Sequence, residues 1–154
     1  MKRLIRSQEG CTLLELILVV LLIGITAALV LPRGINEGVT SSALDSEAAK
    51  IAGFLRLARQ KAMSTASPFR VDFSDGSYSL YEVSSGQTAE NVEKIDGHLQ
   101  AAPNFGSGGD SWVIFTASGT AEQTGTVTLS EKSTSTTRRI IRVYTQGNID
   151  IETH

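Results

Sequence analysis

The chain has few groups able to do chemistry, and the most informative pair lies near its beginning. Gly10-Cys11 is followed by Glu15, and the four-residue step from Cys11 to Glu15 puts both on one face of a helix. A cut after Gly10 would give Cys11 a new amino group that the Glu15 carboxylate could meet, within one chain or on a neighbouring subunit in the same bilayer, where a buried charge would set register. A plainer reading leaves Glu15 at headgroup depth, in a first turn whose dipole favours a carboxylate. Elsewhere the catalytic material is thin. His98 and His154 are the sole histidines and stand in no serine–histidine or metal-ligand pattern. Cys11 has no partner for nucleophilic work, so neither an enzyme nor a cofactor is expected. Asp72, Asp75 and Gly76 resemble half of a calcium loop, but they cannot supply about six to eight oxygen ligands, so an Asp-Gly hairpin turn is expected there and no metal. Arg138, Arg139 and Arg142 form the densest basic group; they read as a solvated strand edge that discourages aggregation, with contact to a nucleic-acid backbone as the alternative.

The stretch that must position Cys11 and Glu15 is an apolar run. From Leu16 to Leu31 every residue is apolar, Gly or Thr, and Pro32 follows. At about 1.5 Å per helical residue, the run from Cys11 to Leu31 spans about 30 Å, the thickness of a bilayer's hydrocarbon core. Residues 11–32 are therefore expected to cross a membrane. Lys2, Arg3 and Arg6 precede the run and would stay in the cytoplasm, leaving the remainder on the far side. A lipoprotein signal needs its apolar segment before the cysteine, whereas here Ser7-Gln8-Glu9-Gly10 precedes Cys11. An ordinary secretory signal, with a small-x-small site at Thr26-Ala27-Ala28, ranks second because more apolar residues follow it.

A short basic leader ending in Gly10, then Thr12, Glu15, an unbroken apolar helix and Pro32 together resemble a type IV prepilin or type II secretion pseudopilin. The family usually has Phe after the scissile bond, where this chain has Cys11. The resemblance implies a leader at residues 1–10, cleavage between Gly10 and Cys11 and N-methylation of Cys11 by a prepilin peptidase, and roles in assembly for Glu15 and Pro32.

Beyond Pro32, Gly34 and Gly38 predict a kink or a brief melt. A helix over 42–64 is then expected, opening on Ser42 with Asp45 three residues on as a capping-box-like start. Ala48, Ile51, Leu55, Ala58 and Ala62 recur at helical spacing as a stripe to pack on a sheet, and Ser67-Pro68 ends it. The period then changes to two. Phe69, Val71 and Phe73 alternate with Arg70 and Asp72, and beyond Ser74-Asp75-Gly76-Ser77 a second strand holds Tyr78, Leu80, Tyr81 and Val83. One strand is expected near 94–99, a Gly-rich loop at 103–110, and strands at 112–115, 125–130, 138–144 and 148–152. The fold class is α+β, a long N-terminal helix packed on antiparallel sheet. With 154 residues, residues 33–154 make one external domain. A single cysteine excludes an intramolecular disulfide. Loss of the leader, with Lys2, Arg3 and Arg6 against Glu9, takes the formal charge from −2 to −4, which disfavours a broadly basic nucleic-acid surface.

The segments Trp112 to Gly119, Gly125 to Leu129 and Arg139 to Val143, with Gly147, are similar to the C-terminal portion of the GspH/FimT branch of pseudopilins and minor pilins. The branch implies a pilin-like fold and a minor structural subunit of a type II secretion pseudopilus or type IV pilus, near the filament tip. It also implies a single-pass inner-membrane location with a periplasmic domain, and as partners other pseudopilins or pilins, the prepilin peptidase and the inner-membrane assembly platform. Some minor pilins of this branch bind DNA for uptake through a Gly-Arg-x-Arg element, where this chain reads Gly147-Asn148-Ile149-Asp150. DNA binding is therefore the alternative, and a membrane-anchored periplasmic domain without a filament is a third reading. If Glu15 pairs with a freed amine, Glu15→Ala will insert normally but enter filaments poorly; equal recovery of variant and wild type in sheared filaments would exclude the pairing.

Overall fold

A computed structural model describes residues 13–84, 88–133 and 137–153; the side chains of residues 27–40 lie outside the described residues, as do the leader at 1–10 and the expected cleavage site at Gly10-Cys11. The chain opens on α1, Leu13–Thr65, one helix of 53 residues. The melt expected at Gly34 and Gly38 is not there, since the helix is uninterrupted across both. A glycine costs about 1 kcal/mol in a helix interior, and adding residues to an existing helix avoids the far larger penalty of nucleating a second one. No helix therefore begins at Ser42. Chain contacts divide into two compact units, 1–39 and 40–154.

In the second unit eight strands follow α1. They are β1 (Phe69–Ser74), β2 (Ser77–Glu82), β3 (Ala89–Lys94), β4 (Leu99–Phe105), β5 (Trp112–Phe115), β6 (Gly125–Glu131), β7 (Arg138–Val143) and β8 (Ile149–Thr153). They form two four-stranded sheets, ordered β3-β2-β1-β5 and β4-β6-β7-β8, with every pairing antiparallel. This is the expected α+β architecture, with two sheets where the sequence pattern suggested one. The hairpin of β1 and β2 pairs Phe73 with Tyr78 across the Asp75-Gly76 turn.

Three further expectations need correction. The strand placed at 94–99 is instead a turn between β3 and β4, and β4 runs through Pro103 into the stretch read as a loop. Proline is tolerated there because β4 is an edge strand, so one side of its backbone has no ladder partner to lose. The arginine-bearing strand β7 is not an edge, since it lies between β6 and β8.

The core is one cluster drawn from the helix and from both sheets. Leu44, Ala48, Ile51, Leu55, Ala58 and Ala62 are wholly buried, so the helical stripe read from the sequence is the face that packs. Phe54 meets Tyr78 of β2 edge to face at 4.7 Å between ring centroids, and Phe73 of β1 stacks on Phe105 of β4 at 6.0 Å, joining one sheet to the other. Phe105 is wholly buried. Its removal would leave a cavity at the junction of the sheets, and Phe105→Ala is expected to lower stability by about 3–5 kcal/mol, read from urea unfolding of the full chain in detergent.

Candidate functional site

The beginning of α1 presents an uncovered apolar surface. Described side chains from Leu13 to Ile25 include eleven large aliphatic residues, all exposed, from 78% at Leu13 to 49% at Val19. In water such a surface would be strongly unfavourable, since burying each of these side chains is worth about 1.5–3 kcal/mol. The one hydroxyl among the described residues of this stretch is satisfied internally: Thr26 donates to the carbonyls of Leu22 and Ile23 at 3.0 and 2.9 Å. Glu15 stands in the first turn of the described helix, where unpaired backbone N–H groups favour a carboxylate. Among the described residues no helix is long and apolar enough to cross a membrane. The expected span reaches beyond them, since Cys11, Thr12 and the side chains of residues 27–32, Pro32 included, lie outside the described residues.

In the second unit the polar side chains fasten α1 to the sheets. Arg139 of β7 is 5% exposed, and its Nε donates to Asp45 Oδ1 at 2.5 Å while a terminal nitrogen donates to Ser41 Oγ at 3.2 Å. Asp45, read as part of a helix cap, is thus an acceptor for a buried guanidinium from the far end of the sequence, and Ser41 is another. The hydrogen bond from Arg139 holds the Asp45 carboxyl below the usual carboxylate range. Arg142 turns to the neighbouring strand, making two parallel bonds of 3.0 Å to Glu152, and that carboxylate raises the guanidinium's pKa. Arg138 also has a partner. Arg139 and Arg142 therefore diverge in space, and no common basic face arises from them.

Arg56 and Arg59 carry contacts that the sequence did not mark. Arg56 donates to Ile149 O of β8 at 3.0 Å, and Arg59 Nε donates to Gly119 O at 2.8 Å. Gly119 and Gly147 both have φ of +79°. A Cβ on Gly147 would stand 2.0 Å from Gly119 O and 2.7 Å from Arg59 Nε, so glycine is required both by the left-handed backbone and by the closeness of the two turns. The arginine, charged and free to lie anywhere on an exposed helix face as judged from sequence, is drawn to a carbonyl that these turns bring within reach.

On the other sheet, Arg70 of β1 pairs with both Asp72 carboxylate oxygens and lies 5.9 Å from the Tyr81 ring centroid and 5.6 Å from that of Trp112. The hydrogen bond to Asp72 raises the guanidinium's pKa. Arg70, Asp72 and Tyr81 line a cavity of about 230 Å³ in which the guanidinium is already paired with the Asp72 carboxylate. Among the described residues no group of three or more His, Cys, Asp or Glu side chains could hold a metal ion.

Comparison with known proteins agrees with this architecture. Residues 47–147 match the family described as Type II transport protein GspH. The fold is similar to that of the type IV minor pilin FimU of Pseudomonas aeruginosa, at 20% identity and a TM-score of 0.62, covering 73% of this chain and 90% of that one. It is similar to the minor pseudopilin EpsH from the type 2 secretion system of Vibrio cholerae, at 12% identity and a TM-score of 0.60, covering 71% and 96%. Escherichia coli GspH gives 16% identity and a TM-score of 0.56, covering 80% and 94%. No curated protein matches the chain by sequence.

The lowered Asp45 pKa carries a pH signature. Its contribution to stability is complete above the ordinary value of about 3.9 and is lost as the pH falls through the lowered folded-state value. Urea midpoints recorded from about pH 5 down to about pH 2 are expected to show the wild-type advantage over Asp45→Asn shrinking toward zero at the acid end. In an Arg139→Met background the same Asp45→Asn substitution is expected to leave the midpoint unchanged across that range.

Proposed function

The chain belongs to the GspH family of type II transport proteins, and from that premise we propose that it is a minor pseudopilin or minor pilin, a structural subunit of a secretion pseudopilus or type IV pilus. Its leader is removed after Gly10, its apolar helix crosses the inner membrane with the globular domain in the periplasm, and the same helix then carries it into the filament near the tip. Prepilin peptidase and the inner-membrane assembly platform are the partners of these steps.

The observation that carries this reading is the exposed aliphatic surface from Leu13 to Ile25 on a helix whose later turns fill a core. Lipid and a bundle of like helices are both apolar solvents, so one surface can exchange the first for the second. Glu15, near the beginning of that surface, fits a partner made available by cleavage. The globular half supplies an outward-facing body that does not need the apolar half for its own core. The DNA-uptake alternative is not favoured, because Arg139 and Arg142 are each committed to a carboxylate of their own chain.

Mass spectrometry of the full chain produced with a prepilin peptidase tests the first step. The mature protein is expected to begin at Cys11, and Gly10→Val is expected to retain residues 1–10 and stay in the membrane. Assembled, functional protein that still carries its first ten residues would refute the reading.

A further inference from the structure

Met1 and Met63 are the methionines of the chain, and Met63, near the C-terminal end of α1, is 46% exposed. Its sulfur is set over a backbone turn rather than in the core. A Cβ built on Gly119 would stand 2.5 Å from Met63 Sδ and 3.3 Å from Arg59 Nε, so the sulfur and the guanidinium crowd one small volume over that glycine. Met63 lies four residues after Arg59, which puts both side chains on one flank of α1.

Arg59 tethers α1 to two turns. Its Nε donates to Gly119 O at 2.8 Å, and a terminal nitrogen donates to Gln146 O at 3.4 Å. The second bond is longer than the usual range of about 2.7–3.2 Å, so that donor is loosely held. The turns are joined to each other by the N–H of Ala121, which donates to Thr145 O at 2.9 Å, and by the close approach of Gly147 to Gly119 O. A thioether sulfur is a weak acceptor and leaves the guanidinium to these carbonyls. Oxidation would put a polar oxygen on that sulfur, and with it a competing acceptor beside Arg59.

We propose that Met63 is a modification site at which a hydroperoxide converts the thioether to a sulfoxide, whose oxygen draws Arg59 from Gly119 O and Gln146 O and frees the two turns from α1. The sulfur lone pair attacks one peroxide oxygen, and an S–O bond forms as the O–O bond breaks. The transferred oxygen gives its proton to the departing one, so water leaves; the sulfur is oxidised by two electrons and the peroxide is reduced. The exposure of Met63 admits the oxidant, which a methionine inside the core would exclude. The change is reversible, since methionine sulfoxide reductases return the sulfoxide to the thioether. Met63 thus acts as a redox-sensitive latch on the contact between α1 and these turns.

The test is amide hydrogen exchange, read by mass spectrometry on the full chain in detergent, with Cys11→Ser so that Met63 is the only sulfur-bearing residue besides Met1. After hydrogen peroxide, exchange in the peptides that hold residues 119–121 and 145–147 is expected to rise about tenfold, with β6 and β7 unchanged, and to fall back on treatment with methionine sulfoxide reductases. Met63→Leu keeps the volume of the side chain and should remove the response. Arg59→Gln should show the faster exchange before any peroxide and gain nothing further from it. Met63 left unoxidised in the folded chain, turns whose exchange is the same in the sulfoxide form, or an equal rise in the Arg59→Gln chain would overturn the inference. So would a rise spread over β6 and β7, which reports unfolding rather than a released contact.

Discussion

The structure depends on the burial of one helical stripe against two sheets at once. Leu44, Ala48, Ile51, Leu55, Ala58 and Ala62 leave water together with Val71 and Leu80 of one sheet and Val127, Leu129 and Ile141 of the other. Among the described residues neither four-stranded sheet has a second helix to cover its inner face, so α1 and the opposite sheet must do so. The alanines on the stripe matter as much as the larger residues, because they let the helix backbone approach the strands while Phe54, Phe73 and Phe105 fill the spaces to either side.

Apolar burial is not directional, so it does not by itself fix where along the helix each strand sits. Three arginines supply that. Arg139 reaches from β7 to Ser41 and Asp45, Arg56 reaches to β8, and Arg59 reaches to the turn at Gly119. The first is the most consequential, because its head is buried while Asp45 is 58% exposed. Removing the acid leaves a buried cation with only neutral acceptors, Ser41 Oγ and Arg138 O, whereas removing the base leaves a carboxylate that water can solvate, so the two halves of the pair are not equivalent.

The same helix ends in a surface with the opposite requirement. From Leu13 to Ile25 its side chains, Glu15 apart, are apolar and exposed. An amphipathic pattern suits a helix with one apolar neighbour, and a helix that is apolar all round suits an apolar medium. Both requirements are met within one member of the GspH family of type II transport proteins.

Much of this was legible in the residues. The apolar run, the helical stripe, the Asp75-Gly76 hairpin and four of the later strands follow from periodicity and turn chemistry, which are local. Local chemistry misled at Ser42, where α1 simply continues, and at Asp45, because a cap and a salt-bridge acceptor use the same carboxylate oxygens. It misled at Pro103, because only strand order reveals that β4 is an edge. Arg138, Arg139 and Arg142 looked like one basic cluster because they are close in sequence, yet alternation along a strand and the position of β7 between β6 and β8 sent two of them to different partners. Sequence by itself determined the apolar run, the packed stripe of α1, the β1–β2 hairpin and strands β5 to β8, since those depend on spacing within a few residues. The tertiary structure alone decided the fate of the charges, because ion pairs such as Arg139–Asp45 join residues about ninety positions apart, and no pattern within a few residues specifies which charges meet.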